Sequence, residues 1–363
     1  MPFGSIAADR ITGTNGDSIS PESSVFRNRI INGAMVIDQR NNGSAVTVND
    51  AAPYTLDRWF GEDVTDGAFT VQRVAEAPSG FSFSAKITVT TADASLAAGQ
   101  YAVFTQRIEG FNTADLMWGT ASASSVTFSF WVRSSLTGTF GGVLANGAEN
   151  YSYPFTYTIA SANTWEQKSI TVAGPTAGTW IGATNGKGMI VTFGLGSGST
   201  YVGTAGAWAA ADYRGGATGQ TNILATNGAT WQVTGVQLEK GSTATSFDYR
   251  HYSVELAMCQ RYYYELPASS QMPAYSADTT SVVGTVSMPV AMRATPSVTL
   301  PAGNSYAWYD GGYNFSTSTS ISMATTGSNK SVYAISHPSF STMTALRARI
   351  LQSDSAYKFS AEL

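Results

Sequence analysis

Two stretches alternate strictly between apolar and polar residues: Thr127-Phe128-Ser129-Phe130-Trp131-Val132-Arg133, and Trp231-Gln232-Val233-Thr234 within a longer run ending at Gly241. Successive side chains of a strand point to opposite faces, so this pattern demands a sheet with one buried face. It predicts Val126, Phe128, Phe130 and Val132 inward, with Ser129, Trp131 and Arg133 on the opposite face. Further strand-like segments fall at residues 69–74, 81–90, 101–110, 140–144, 151–159, 165–172 and 189–195, separated by Gly, Ser, Thr and Asn. In 81–90, Phe81, Phe83, Ala85, Ile87 and Val89 share one face. Short strands at this spacing imply an all-β sandwich.

Around that core the chain divides into parts. Residues 1–28 form a polar, Gly/Ser-rich N-terminal segment, read either as an extended docking arm or as a frayed terminus. As a docking arm, its apolar contacts would be Phe3, Ile6 and Ile11. The main sandwich spans 29–250. It opens with a strand-like segment over 26–40, a turn at Asn41-Asn42-Gly43 and a strand-like 54–60. A long loop, 196–227, carries Tyr201, Trp208, Tyr213 and Arg214; loops of this length in compact domains are usually functional or disordered. Residues 251–264 connect to a second module and are helix-like, with Val254, Met258 and Arg261 to Tyr262 at helical spacing. A smaller C-terminal β-sandwich follows over 265–363, with strands near 282–289, 297–300, 305–308, 331–335, 345–351 and 357–363.

Composition limits the function. Charged residues are 12% of the 363, but hydrophobic residues reach 43% and the net charge is only −4, which argues against disorder. The 20 Lys and Arg are scattered, which argues against a nucleic-acid surface. No apolar run is long enough for a transmembrane helix, so no membrane insertion is expected. Residues 1–20 lack the basic start and apolar core of a signal peptide, so general secretion is not expected. The single Cys259 excludes an intrachain disulfide framework and reads as a buried small hydrophobe.

Arg29-Ile30-Ile31-Asn32-Gly33-Ala34-Met35, with Asp38-Gln39-Arg40 and Tyr54-Thr55-Leu56-Asp57-Arg58-Trp59, resembles the start of tailed-phage and prophage tail-fibre or appendage proteins. Gln237-Leu238-Glu239-Lys240-Gly241, Ala244-Thr245-Ser246-Phe247-Asp248-Tyr249-Arg250 and Glu255-Leu256-Ala257-Met258-Cys259-Gln260-Arg261-Tyr262-Tyr263 resemble their continuation, as does the closing Ser360-Ala361-Glu362-Leu363. The resemblance implies a jelly roll similar to carbohydrate-binding modules, a homotrimer, and a place on the tail or head of a virion assembled in the host cytoplasm. An outward-facing role without secretion is then met by a virion released on lysis. The expected partners are a second and third copy of the chain, other virion proteins through the N-terminal arm, and host-surface glycan. The other reading is a capsid decoration or head-fibre protein with a structural role.

No catalytic signature accompanies this, and the chain is expected not to be an enzyme. Glycosidases need two carboxylates flanking a sugar, and no pair here stands in a recognisable motif. His251 and His337 are isolated, and Gly194 to Gly198 lacks the Lys-Ser/Thr of a phosphate loop, so neither metal nor cofactor is expected. The acidic run Glu62-Asp63 with Asp66 is either a calcium site or, by the reading preferred here, a solvated turn. Sugar binding needs flat aromatic faces beside fixed hydrogen-bonding groups. The candidates are Trp180, Tyr201, Trp208, Tyr213 and Arg214, with Asn146, Asn150 and Tyr151 in a second Gly-rich segment. Subunit contact is the equal alternative for the loop aromatics, because interfaces enrich the same residues. Trp59, Trp165 and Trp231 are expected to serve the core or cover a sheet.

Overall fold

The computed structural model describes residues 11–12, 18–19, 27–299, 305–309, 313–317, 322–324, 332–337, 348–353 and 356–363. The chain divides after His251 into two units. In the first, β1 (Ile11–Thr12) pairs with β2 (Ser18–Ile19) as a separate ribbon. Then come β3 (Val46–Val48), β4 (Tyr54–Leu56), β5 (Trp59–Asp63), β6 (Ala68–Val74), β7 (Ser84–Thr91) and β8 (Tyr101–Glu109). They are followed by β9 (Val126–Ser134), β10 (Gly138–Asn146), β11 (Ser152–Ile159), β12 (Glu166–Val172) and β13 (Lys187–Ser197). The two-residue strands β14 (Val202–Gly203) and β15 (Gly216–Ala217) precede β16 (Thr230–Lys240). One sheet is ordered β11-β10-β13-β8-β5-β4 and the other β12-β9-β16-β7-β6-β3. Most connections cross between the sheets, with hairpins left at β4–β5, β6–β7 and β10–β11, and the result is a jelly-roll β-sandwich.

The alternating residues meet between the sheets. Val126, Phe128, Phe130 and Val132 are fully buried, as are Ile87 and Ala85 on β7. Trp59 stacks on Phe104 with ring centroids 5.0 Å apart, and Trp231 lies 5.0 Å from Phe193. The Trp231 indole N–H donates to the Tyr157 hydroxyl at 3.1 Å, so the deepest polar atoms of this core satisfy each other. Trp165 differs: it is half-buried and sits just before β12, outside the core.

The segment 27–45 is not the strand its composition predicts. It runs without regular secondary structure, and Asn32, Met35 and Asn42 take left-handed backbone angles. Side chains supply the hydrogen bonds that a ladder would have supplied. The Asn32 amide, fully buried, accepts from the Ile37 N–H at 2.9 Å and donates to the carbonyls of Ile37 (2.8 Å) and Asp57 (3.0 Å). The Gln106 side chain bonds both backbone groups of Ile31. Arg29 holds Asp115 with two bonds of 2.6 and 2.7 Å. The same segment is sewn to the end of the unit. Arg250 donates to the carbonyls of Asn28 and Ile30, Arg27 donates to Ser246, and the Asp248 carboxylate accepts from the Asn28 N–H. Asn28 also reaches β16, donating to Val236 and accepting from Leu238. Residues 54–60 are likewise broken, into β4 and β5, by a tight turn in which Arg58 has φ of 71°.

The acidic run is no solvated turn either. Glu62 and Asp63 end β5, and Asp63 is buried. Its Oδ1 accepts from the Thr65 N–H and hydroxyl, while its Oδ2 is buried without a hydrogen bond. Burial raises the Asp63 carboxyl above its ordinary value against the pull of the Thr65 bonds, and the nearby Asp50 charge adds to the rise. A raised folded-state value means that folding favours the protonated form, so an ionised Asp63 costs stability at neutral pH. Asp63→Asn, which removes the charge, should therefore raise Tm at pH 7 relative to wild type. That gain should vanish as the pH falls below the ordinary carboxyl value near 3.8. Thermal melts of both proteins from pH 3 to 8 check this.

The second unit begins with α1 (Tyr252–Gln260), which buries Glu255 and Cys259, not Val254, which is half exposed. The strands are β17 (Tyr263–Leu266), β18 (Gln271–Ser276), β19 (Val282–Ser287), β20 (Ser297–Thr299), β21 (Ser305–Tyr309), β22 (Tyr313–Thr317), β23 (Ser322–Ala324), β24 (Val332–His337), β25 (Ala348–Ser353) and β26 (Tyr357–Ser360). They form a three-stranded sheet, β17-β26-β20, and a seven-stranded sheet, β22-β21-β25-β18-β19-β24-β23. Met272, Val282, Val286, Met292, Tyr357 and Phe359 pack together as a smaller β-sandwich core.

Candidate functional site

The outer face of the sheet containing β8 carries the densest chemistry of the first unit. Phe104 and Ile108 point inward along β8, so Val103, Thr105 and Arg107 point outward. Phe60 and Glu62 of β5, Ile190 and Thr192 of β13, and Val143 and Ala145 of β10 share this face. An outer face is ordinarily wet. Here the loop between β13 and β16 folds back over it: β14 pairs with β15, and Ser152 exchanges two 2.9 Å backbone bonds with Ala209. Glycines permit the close approach. A Cβ on Gly141 would lie 1.9 Å from the Gln220 Oε1, and one on Gly194 would lie 2.4 Å from the Gly215 carbonyl oxygen. Tyr213 then packs on Val143, Ala145 and Ile190.

What remains open is a narrow cleft of about 20 Å³, room for little more than a water molecule, with the buried Phe60, Val103, Val143, Ala145 and Ile190 beneath it and Glu62, Arg107, Glu149, Asp212 and Arg214 at its sides. Arg107 lies over the Phe60 ring, 4.4 Å from its centroid. Arg214 is the hub. Its guanidinium binds Asp212 at 2.5 Å and Glu149 at 2.8 Å, reaches the Tyr101 hydroxyl at 3.4 Å, and lies 5.5 Å from the centre of the Tyr201 ring. Tyr101 in turn donates to Glu62 at 2.6 Å, and Lys187 pairs with Glu149 at 2.5 Å. Burial works against the Arg214 charge, but the bond to Asp212 and the charge of Glu149 outweigh it and push its pKa up. Burial and the Glu62 bond push the Tyr101 hydroxyl up too, so it remains a donor. These pairs are partly exposed and add little to stability. Their effect is to fix a ring of charged donors and acceptors above an apolar floor.

Of the residues singled out in the sequence, Tyr201, Tyr213 and Arg214 meet at this cleft. Trp180 and Trp208 do not. They join Trp118, with centroids 4.8 Å (Trp118–Trp180) and 5.3 Å (Trp118–Trp208) apart, and Tyr151 stacks on Trp208. Asn146 is fully buried and binds Asn150 and the Thr179 carbonyl, a structural role. Phe3 and Ile6 lie outside the described residues, and Ile11 belongs to β1. Sequence reasoning missed Phe60, Arg107, Glu149, Asp212 and Trp118. Read as a strand, 101–109 puts Val103, Thr105 and Arg107 on one face, the one signal that could have pointed here. Among the described residues no three His, Cys, Asp or Glu side chains are grouped to hold a metal ion, and no helix is long and apolar enough to cross a membrane.

No protein-family model matches the sequence. No curated protein sequence matches it either. Solved structures similar to it include the enzymatically active domain of tailspike protein 4 of bacteriophage CBA120. That match has 15% identity and a TM-score of 0.33 over 60% of this chain, and spans only 22% of the tailspike chain. The family 11 carbohydrate-binding module of Clostridium thermocellum, in complex with a mixed-linked tetrasaccharide, is 9% identical with a TM-score of 0.27, over 56% of this chain and 98% of that one. A family 61 module in complex with β-1,4-galactotriose is 9% identical with a TM-score of 0.29, over 59% and 99%.

Proposed function

We propose that this chain is a non-enzymatic phage virion protein, a trimeric fibre or spike that holds host-surface glycan on the charged cleft rim around Arg214. The observation that carries the glycan reading is the rim of the cleft. It holds guanidinium, carboxylate and phenol groups in a fixed arrangement, with the half-buried Tyr201 ring beside Arg214, and these suit the hydroxyls and the ring face of a pyranose lying across the mouth. The virion assignment is supported by the sequence resemblance of 29–59 and 237–263 to phage appendages. The non-enzymatic reading is supported by the state of the carboxylates. Glu62, Glu149 and Asp212 are each held by a tyrosine hydroxyl or a cation, whereas a general acid must be protonated and free to reach the glycosidic oxygen. Weak single sites would be strengthened by three copies on one axis.

The test is a glycan array followed by titration calorimetry with full-length protein. Arg214→Ala should lose at least tenfold in affinity, since hydrogen bonds to charged groups are worth about 1.5–3 kcal/mol. Its Tm should fall by no more than about 2 °C, because the pairs it breaks are partly exposed. Wild-type affinity in Arg214→Ala would remove the cleft from the reading. Release of reducing ends from the bound glycan on long incubation would overturn the non-enzymatic assignment.

A further inference from the structure

A second pocket shares no lining residue with the cleft. It is about 360 Å³ and is walled by Thr113, Ala114, Met117, Trp118, Thr120 and Ser122 from the β8–β9 connection and by Trp180, Ile181 and Gly182 from the β12–β13 connection. Neither connection is loose here. Gly110 bonds to Gly186 at 2.9 Å, Phe111 to Thr184 at 2.8 Å and Gly119 to Pro175 at 2.8 Å through the backbone. The two indoles meet nearly at right angles, 80°, and their N–H groups are bound internally, Trp118 to Ser124 and Trp180 to Ala177. The corner they form is therefore fixed before any ligand arrives, which lowers the entropy cost of binding.

Two features go against stability and point outward to a ligand. Met117 holds a left-handed φ of 54°, costly for an unbranched side chain with no local hydrogen bond to offer, yet that side chain is 46% exposed. Ile181 beside it is 41% exposed. Strain and apolar exposure converge on the rim of one pocket. No lining side chain is charged, while three are hydroxylic. The partly exposed Trp180 ring, backed by the buried Trp118, together with hydroxyls and an uncharged lining matches a neutral sugar ring, and suits neither an acidic sugar nor a nucleotide.

We infer that this pocket is a second carbohydrate site, selective for neutral saccharide, so that each chain would offer two separate glycan contacts. The inference deepens the carbohydrate reading and rests on it, but uses different residues. The probes are cellotetraose, mannotetraose and β-1,4-galactotetraose as neutral sugars, with sialyllactose and tetragalacturonic acid as acidic ones, read by saturation-transfer NMR and calorimetry. The rim variant is Met117→Gly with Ile181→Ser. Glycine relieves the left-handed angle while deleting the side chain, so the fold is kept, and an unchanged or higher Tm confirms it. The expected result is that at least one neutral probe binds wild type and Arg214→Ala alike and binds the rim variant at least tenfold more weakly. The pocket site is overturned if the rim variant binds every neutral probe as wild type does, if wild type binds no neutral probe, or if the rim substitutions change only the oligomeric mass in light scattering. Loss confined to Arg214→Ala leaves the cleft standing and removes the pocket; loss confined to the rim variant does the reverse.

Discussion

Trp59→Ala is expected to cost the first unit about 3–5 kcal/mol, the range for removing a buried aromatic from a packed core. Trp59 is fully buried, stacks on Phe104 at 5.0 Å and lies 6.3 Å from Phe193. It lies on the inner face of β5, beside rings carried by β8 and β13 of the same sheet, where hydrogen-bonded neighbours have little freedom to collapse into the void. Its indole also donates to the Asn32 carbonyl at 3.2 Å, so the irregular segment loses an anchor in the same step. For a unit of this size the loss corresponds to roughly 6–20 °C in Tm. Thermal unfolding followed by near-ultraviolet circular dichroism measures it. A shift below about 3 °C would mean that this core repacks far more easily than a close-packed sandwich should.

The second large effect is at Asn32. Asn32→Ala deletes three buried hydrogen bonds to main-chain groups of Ile37 and Asp57. Leaving those groups unmet costs about 1–3 kcal/mol each when no water replaces the amide. Alanine also meets the left-handed φ of 58° less readily than asparagine does. A total near 4 kcal/mol is expected from urea denaturation. Asn32→Gly separates the two causes, since it keeps the loss of bonds and removes the backbone penalty. If the two variants are equally stable, the angle contributes nothing. Combined with Trp59→Ala, either change should be non-additive, because the Trp59 indole binds the Asn32 carbonyl on the same backbone that the Asn32 amide holds in place.

Both positions lie in the part of the chain whose physics is hardest to read from residue order. Period-two alternation exposed β7, β9 and β16, because a side chain's face is decided locally by the pleat. Phe128 and Phe130 needed no tertiary knowledge to be placed inside. The segment 27–45 did. Asn28, Arg29 and Asn32 look like turn chemistry, and only the fold reveals that they are buried to satisfy carbonyls from residues far along the chain. The cleft was half legible for the same reason. Tyr213 and Arg214 stood out as aromatic and cationic residues in a long loop, but Phe60, Arg107 and Glu149 become neighbours only when β5, β8 and the β10–β11 turn converge. Trp180 and Trp208 carried the same compositional signal as Tyr201, and composition has no means of assigning them to a different place.

The stitching of 27–31 to 236–250 bears on how the first unit would carry mechanical load. Arg250, Arg27 and Asp248 hold residues 27–30 and 246–250 side by side, with Asn28 locked to β16 beneath them. A pull applied at residues 27 and 251 therefore passes across this short clamp, and the roughly two hundred residues between form a loop outside the line of force. Extension would begin by breaking the arginine–carbonyl bonds, and the sheets, together with the cleft they support, would stay at rest until those bonds gave way. Under tension between those two points, the outer face of the β8 sheet would thus keep its shape.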